Sequence, residues 1–87
     1  MKVGFTGTQA GLTPKQKLEL RSLLTDYRDD ITEFHHGDCI GADADAHEIA
    51  AEILGVECIF IHPPEDDKKR AFCKSPHIAR PRPYLGC

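Results

Sequence analysis

The chain has 87 residues, 29% of them charged and 40% hydrophobic, with a net charge of -3. That length carries one hydrophobic core and excludes two domains; since so short a chain buries only roughly 60% of its unfolded surface, help from a partner subunit or ligand, and hence a homo-oligomer, is expected. The longest apolar runs, such as Cys58-Ile59-Phe60-Ile61, fall far short of the roughly 20 residues a membrane helix requires. Thr6, Gly7, Thr8 and Gln9 interrupt the N-terminus before a signal-peptide core develops, which makes a cytoplasmic location the expectation. The four cysteines fit reduced thiols in that setting. Charge is uneven: residues 1–67 carry 5 basic and 14 acidic side chains, whereas residues 68–87 carry 6 basic and none acidic. An acidic body argues against a nucleic-acid groove, which needs clustered Lys and Arg.

Residues 2–6, Lys2-Val3-Gly4-Phe5-Thr6, read as a short buried strand that stops at Gly7. Thr13-Pro14-Lys15-Gln16 has a capping threonine, proline at the first helical position and glutamine at the third, the start of a helix. Leu20, Leu23, Leu24 and Tyr27 recur at helical spacing, so this helix lays one face on a core and ends near Asp29. Ile31 to His36 reads as a second strand, ending in two histidines before Gly37. Ala42 to Leu54 is an alanine-rich helix with Ile49, Ala50, Ile53 and Leu54 inward, closed by Gly55. Val56 to Ile61, nearly all apolar or β-branched, is a strand buried on both faces. The order β-α-β-α-β with short connections predicts an α/β, Rossmann-like three-layer fold with a short parallel sheet and ligands at the carboxyl ends of its strands. This core spans residues 1–64. Residues 65–87 form a basic, Pro-rich loop or tail of the same domain, because Pro76, Pro81 and Pro83 forbid a long helix.

Two glycine-containing turns fall where such a sheet binds anions. The first, Gly4 to Gly11, offers backbone N–H groups and the Thr6 and Thr8 hydroxyls. The second, Gly37-Asp38-Cys39-Ile40-Gly41-Ala42-Asp43, opens the second helix, so free N–H groups and the positive end of the helix dipole point at the cleft. Neither is a Walker loop or a full Gly-x-Gly-x-x-Gly, and each alone also reads as a plain strand-to-helix turn. Candidate ligand-binding residues are Thr6, Gly7, Thr8, Gly37, Asp38, Gly41, Ala42 and Asp43. Asp38 divides evenly between ligand contact and loop bracing. Asp43 reads first as a helix cap. In the basic tail Arg80 and Arg82 are candidates for a phosphate clamp.

No metal site follows from spacing. His35 and His36 point to opposite faces of a strand, Cys58-x-x-x-His62 is too extended for one ion, at roughly 13 Å, and Pro76 disfavours a helical Cys73-x-x-x-His77 pair. Cys39 in the glycine loop and His47 on the second helix read as packing residues before they read as nucleophile or acid–base catalyst. No catalytic residue is assigned and no cofactor is implied.

Gly4-Phe5-Thr6-Gly7-Thr8, Leu12-Thr13-Pro14-Lys15-Gln16, His36-Gly37-Asp38-Cys39-Ile40-Gly41-Ala42-Asp43 with Ala46-His47, and His62-Pro63-Pro64 together resemble the SLOG superfamily. This Rossmann-like group includes DprA and the LOG phosphoribohydrolases, and the resemblance is closest to its small bacterial and phage members. It implies a nucleotide or nucleotide-derived ligand held across the ends of the first two strands, in a binding or sensing module. The LOG enzymes carry a catalytic glutamate and second phosphate loop in a C-terminal part with no counterpart here. Glycosidic-bond cleavage is therefore the alternative that would require residues from elsewhere. DprA-like binding of single-stranded DNA is a second alternative, weakened by the acidic body and few aromatics.

Overall fold

The computed structural model describes residues 1–7, 9–64 and 66–79. Its elements run β1 (Lys2–Phe5), α1 (Pro14–Asp26), β2 (Glu33–His36), α2 (Ala42–Leu54), β3 (Ile59–Ile61) and β4 (His77–Ile78). The four strands form one all-parallel sheet in the order β1-β2-β3-β4. The protein is thus α/β, and its parallel sheet and two helices are those of a small Rossmann-like fold.

Each element forms for a local reason. Thr13 caps α1: its hydroxyl accepts the Gln16 N–H at 3.1 Å, while the Gln16 side chain accepts the Thr13 N–H at 2.9 Å, with Pro14 opening the first turn. The helix stops at Asp26, a turn earlier than its apolar pattern suggests, and Tyr27 begins the turn into β2. Helix α2 has the boundaries its alanine run predicts and closes at Gly55 with φ of 90°. All three strands expected from the apolar pattern are shorter than predicted: β1 stops at Phe5, before Thr6, and as an edge strand alternates exposed and half-buried residues where a buried strand was expected. Ile31 and Thr32 lead into β2 without joining it, and Val56–Cys58 form a 3-10 turn before β3. In the tail, Asp67–Lys69 make another 3-10 turn and His77–Ile78 add a fourth strand that the prolines concealed. Ser75 secures that strand, since its hydroxyl donates to the Ile59 carbonyl and accepts the His77 N–H.

Strand alternation sorts the side chains by face. Leu24, Phe34, Ala46, Ile49, Ala50, Ile59 and Ile61 form the buried core, with Val3, Phe5 and Leu20 packed against it. Both helices therefore lie on one face of the sheet, as follows when consecutive strands are neighbours and each crossover has the same hand. They are also joined across their exposed side by Arg21 and Glu52, 2.9 Å apart, an open pair that contributes little. The opposite face carries Lys2, Gly4, Glu33, His35 and Phe60.

The tail is tied to the end of β2 through Asp38. This fully buried residue adopts a left-handed backbone, φ 56°. Its carboxylate accepts the Arg70 Nε–H at 3.0 Å and the Cys73 N–H at 2.9 Å, and its carbonyl accepts the Ala71 N–H at 2.8 Å. The Ile40 N–H donates to the Lys69 carbonyl at 2.9 Å, so residues 69–73 run alongside the loop. Removing one partner of a buried ion pair leaves the other desolvated and alone. Asp38→Ala is therefore expected to lower stability by about 3–5 kcal/mol, measured by urea unfolding, and to expose the 69–73 segment to limited proteolysis.

Candidate functional site

The two glycine turns meet, and the contact is tight. A Cβ on Gly7 would collide with the Ala42 Cβ, and one on Gly41 with the Gln9 carbonyl. Gly41 also has φ of 91°, which disfavours a side chain. The β1 loop is held from α2 as well: the Leu12 N–H donates to Asp45 Oδ2 at 2.8 Å. The glycines therefore let the loop close onto the start of the helix, and this packing role is their first one.

Beside that contact a cavity of about 420 Å³ opens at the carboxyl end of β1. Phe5, Leu20, Leu23 and Ala42 make its walls apolar, and Thr6, Gln16 and Glu19 supply polar groups. No Lys or Arg is among its described lining residues. A smaller crevice of about 80 Å³ on the other side of the β1 end is lined by Gly4, Thr6, His35, Gly37 and His62, among others. Thr6 borders both spaces.

Of the residues expected from the sequence, Thr6, Gly7 and Ala42 line the main cavity, and Thr6 and Gly37 the crevice. Gly41 packs against Gln9. Asp38 braces the loop, with both carboxylate oxygens engaged inside the protein. Asp43 is buried and lies in the first turn of α2, after the Gly41 cap, so it is not the cap itself. Its Oδ2 instead accepts the Cys39 N–H at 3.2 Å, and burial pushes its pKa up. With Asp43 and Asp45 both in that turn, the helix dipole is already met by carboxylates, which discourages a phosphate there. Thr8, Arg80 and Arg82 lie outside the described residues.

The least legible part of the region is a buried relay behind the loop. The Asp38 N–H donates to His36 Nδ1 at 2.9 Å, which leaves the His36 proton on Nε2, 2.9 Å from His47 Nδ1. His47 in turn hydrogen-bonds the Lys74 backbone. This sequence of contacts fixes the tautomer of both rings. The Cys73 thiol joins them, with ligand atoms of His36, His47 and Cys73 all within 4.8 Å of one another. The trio has metal-site spacing, yet its surroundings oppose that use. A liganding His36 Nε2 would need its proton on Nδ1, where the Asp38 N–H already points. Burial, aided by Asp38, pushes the Cys73 thiol up to about 12, away from the thiolate that metals prefer. Pairing Cys73 with His77 by sequence spacing overlooked this group, whose members come from β2, α2 and the tail. An alternation reading that puts His36 inward beside a histidine on an alanine-rich helix was the available signal.

No family model, curated protein or solved structure matches the chain.

Two outcomes follow from this geometry. Gly41→Ala is expected to destabilise the fold by about 2 kcal/mol or more, through its left-handed backbone and the Gln9 carbonyl. Gly4→Ala, where a Cβ meets nothing within 4 Å, should stay within about 0.5 kcal/mol, and parallel thermal melts compare the two. The relay sets a pH dependence. Burial, then the neighbouring His47, lowers the His36 pKa from 6.5 to about 4, and burial also lowers that of His47. The unfolded chain therefore takes up protons first. The histidines' contribution to stability is full above pH 6.5 and is lost as pH falls towards 4, with His36 alone accounting for roughly 3 kcal/mol. Denaturant melts across that range should show the loss, and His36→Leu should flatten the slope.

Proposed function

We propose that the protein is a binding module for a nucleotide-derived small molecule, taken into the cavity at the carboxyl end of β1. The observation that carries this reading is the cavity itself. At about 420 Å³ it falls within the size range of small-molecule sites, and it is lined by the first glycine turn, by α1 and by Ala42 at the start of α2. Its place outside the carboxyl end of a parallel strand is where α/β sheets take ligands. The resemblance of the turn motifs to SLOG proteins points to the same ligand class.

The lining refines the expectation. Apolar walls with one hydroxyl, one amide and one carboxylate suit a nucleoside moiety, whose base seeks dry contact and whose sugar offers hydroxyls. A phosphate would extend away from Asp43 and Asp45. Glu19 is the one carboxylate on the described lining, and with the Thr6 hydroxyl and the Gln16 amide it supplies hydrogen-bonding groups for a sugar.

A thermal-shift screen against nucleosides, mono-, di- and cyclic nucleotides, NAD-derived compounds and ribose phosphates tests the proposal. A ligand at 100 times its Kd should stabilise the protein by about 2.7 kcal/mol. Leu23→Glu places a charge on a half-exposed wall of the cavity and should abolish the shift while leaving the ligand-free melt nearly unchanged. A panel that stabilises nothing, or a shift that survives Leu23→Glu, overturns the assignment.

A further inference from the structure

On the sheet face without the two α-helices, side chains from three strands form a row of nearly parallel rings. His77 of β4 stacks on Phe60 of β3 with centroids 4.1 Å apart and planes 7° apart. Phe60 stacks on His35 of β2 at 4.9 Å and 18°. These separations approximate the spacing of the strands, about 4.8 Å, so each strand contributes one ring. His62, just past the end of β3, lies against the same His35 ring at 5.0 Å and 20°.

The register carries the row to β1, where the partner of His35 is Gly4. Gly4 has no side chain, and a Cβ built on it would meet nothing within 4 Å. The row therefore stops one ring short, and β1 presents no side chain to the near face of His35. Because β1 is the edge of the described sheet, this gap opens sideways. The crevice of about 80 Å³ leads from it towards His62.

The structure assigns to this gap, we propose, a stacking slot for the planar nitrogen heterocycle of a small molecule, which completes the row on His35 above Gly4. The wall is held rigid for that purpose. His35 Nε2 lies 2.7 Å from Glu33 Oε1, and its Nδ1 lies 2.7 Å from His62 Nε2, so the imidazole is fixed at both nitrogens. Glu33 is in turn 3.7 Å from Lys2, the neighbour of Gly4 on the same face of β1. A ring oriented by a carboxylate is electron-rich, and offset stacking then favours an electron-poor heterocycle such as a nucleobase over a benzene ring. The slot lies across the sheet from the larger cavity, so it stands or falls separately from the binding proposed there.

The test is an NMR titration of the protein with adenosine, with ribose as the control lacking a π face. Saturable shifts at His35 and the Gly4 amide with adenosine, and none with ribose, are expected. Gly4→Phe supplies the missing ring from the chain itself. It should raise Tm by roughly 1–8 °C, as a cross-strand aromatic pair does in a domain of this size, and should lose the adenosine response. His35→Ala, which removes the wall, should lose it too. The proposal is overturned if adenosine leaves His35 and Gly4 unmoved up to its solubility limit, or if ribose acts equally. Retention of the response in Gly4→Phe overturns it as well, as do shifts that follow protein concentration, which would mean that a second copy fills the gap. Leu23→Glu should leave the slot response intact, which separates its failure from that of the main cavity.

Discussion

A carboxylate with no exposed surface has to find its partners inside the protein, and the architecture around the end of β2 is arranged to supply them. Asp38 sits between Arg70 and the Cys73 amide, and its backbone holds Ala71 and His36. Desolvation makes those bonds obligatory, since an unpaired charge at that depth would cost more than most single contacts contribute. Arg70 is further steadied over the Phe72 ring, 4.4 Å from its centroid. One residue thus connects the sheet, the histidine relay and the tail. Cys73 is placed near His36 and His47 because Asp38 holds its amide.

The same constraint explains what could be read from the sequence and what could not. The start of α1 and the end of α2 were legible because Thr13, Pro14, Gln16 and Gly55 act locally, through caps and backbone conformations that depend on adjacent residues, whereas the end of α1 has no such signal and the apolar pattern puts it too late. The parallel sheet was legible from the alternation of short apolar strands with amphipathic helices. The tail was not: β4 rests on a pairing with β3, and its two residues have little apolar pattern of their own. Asp38 showed only a motif position, because its partners lie 32 and 35 residues away. The glycines were recognised as turn residues, but whether they admit a ligand or another segment depends on tertiary approach. Gly7 and Gly41 turned out to admit Ala42 and Gln9 into close quarters, and the cavity lies beside them.

The end of β1 divides two chemically distinct environments. On the helix side, residues of α1 and the glycine loop line a mainly apolar space with a few polar groups. On the other side, histidines and an acid present a polar edge and flat rings. Thr6 stands at the boundary and borders both. Since strand side chains alternate, a single residue step changes which environment is reached, and a one-residue slip of β1 would exchange Gly4 for Phe5 or Val3 and ruin both spaces at once. The backbone register, set by pairing from Lys2 with Glu33 to Phe5 with His36, is therefore a specificity element in itself.

Strand order that follows chain order has a consequence during synthesis. Each strand leaving the ribosome finds its neighbour already present, so β1, α1 and β2 can assemble without waiting for distant sequence. Asp38 cannot. It emerges just after β2, and its cationic partner follows 32 residues later. Until then the carboxylate must remain hydrated, which keeps the glycine loop from closing over it. The nascent chain can thus hold a half-built sheet with an open carboxyl end, and the arrival of Arg70 completes the burial of that end.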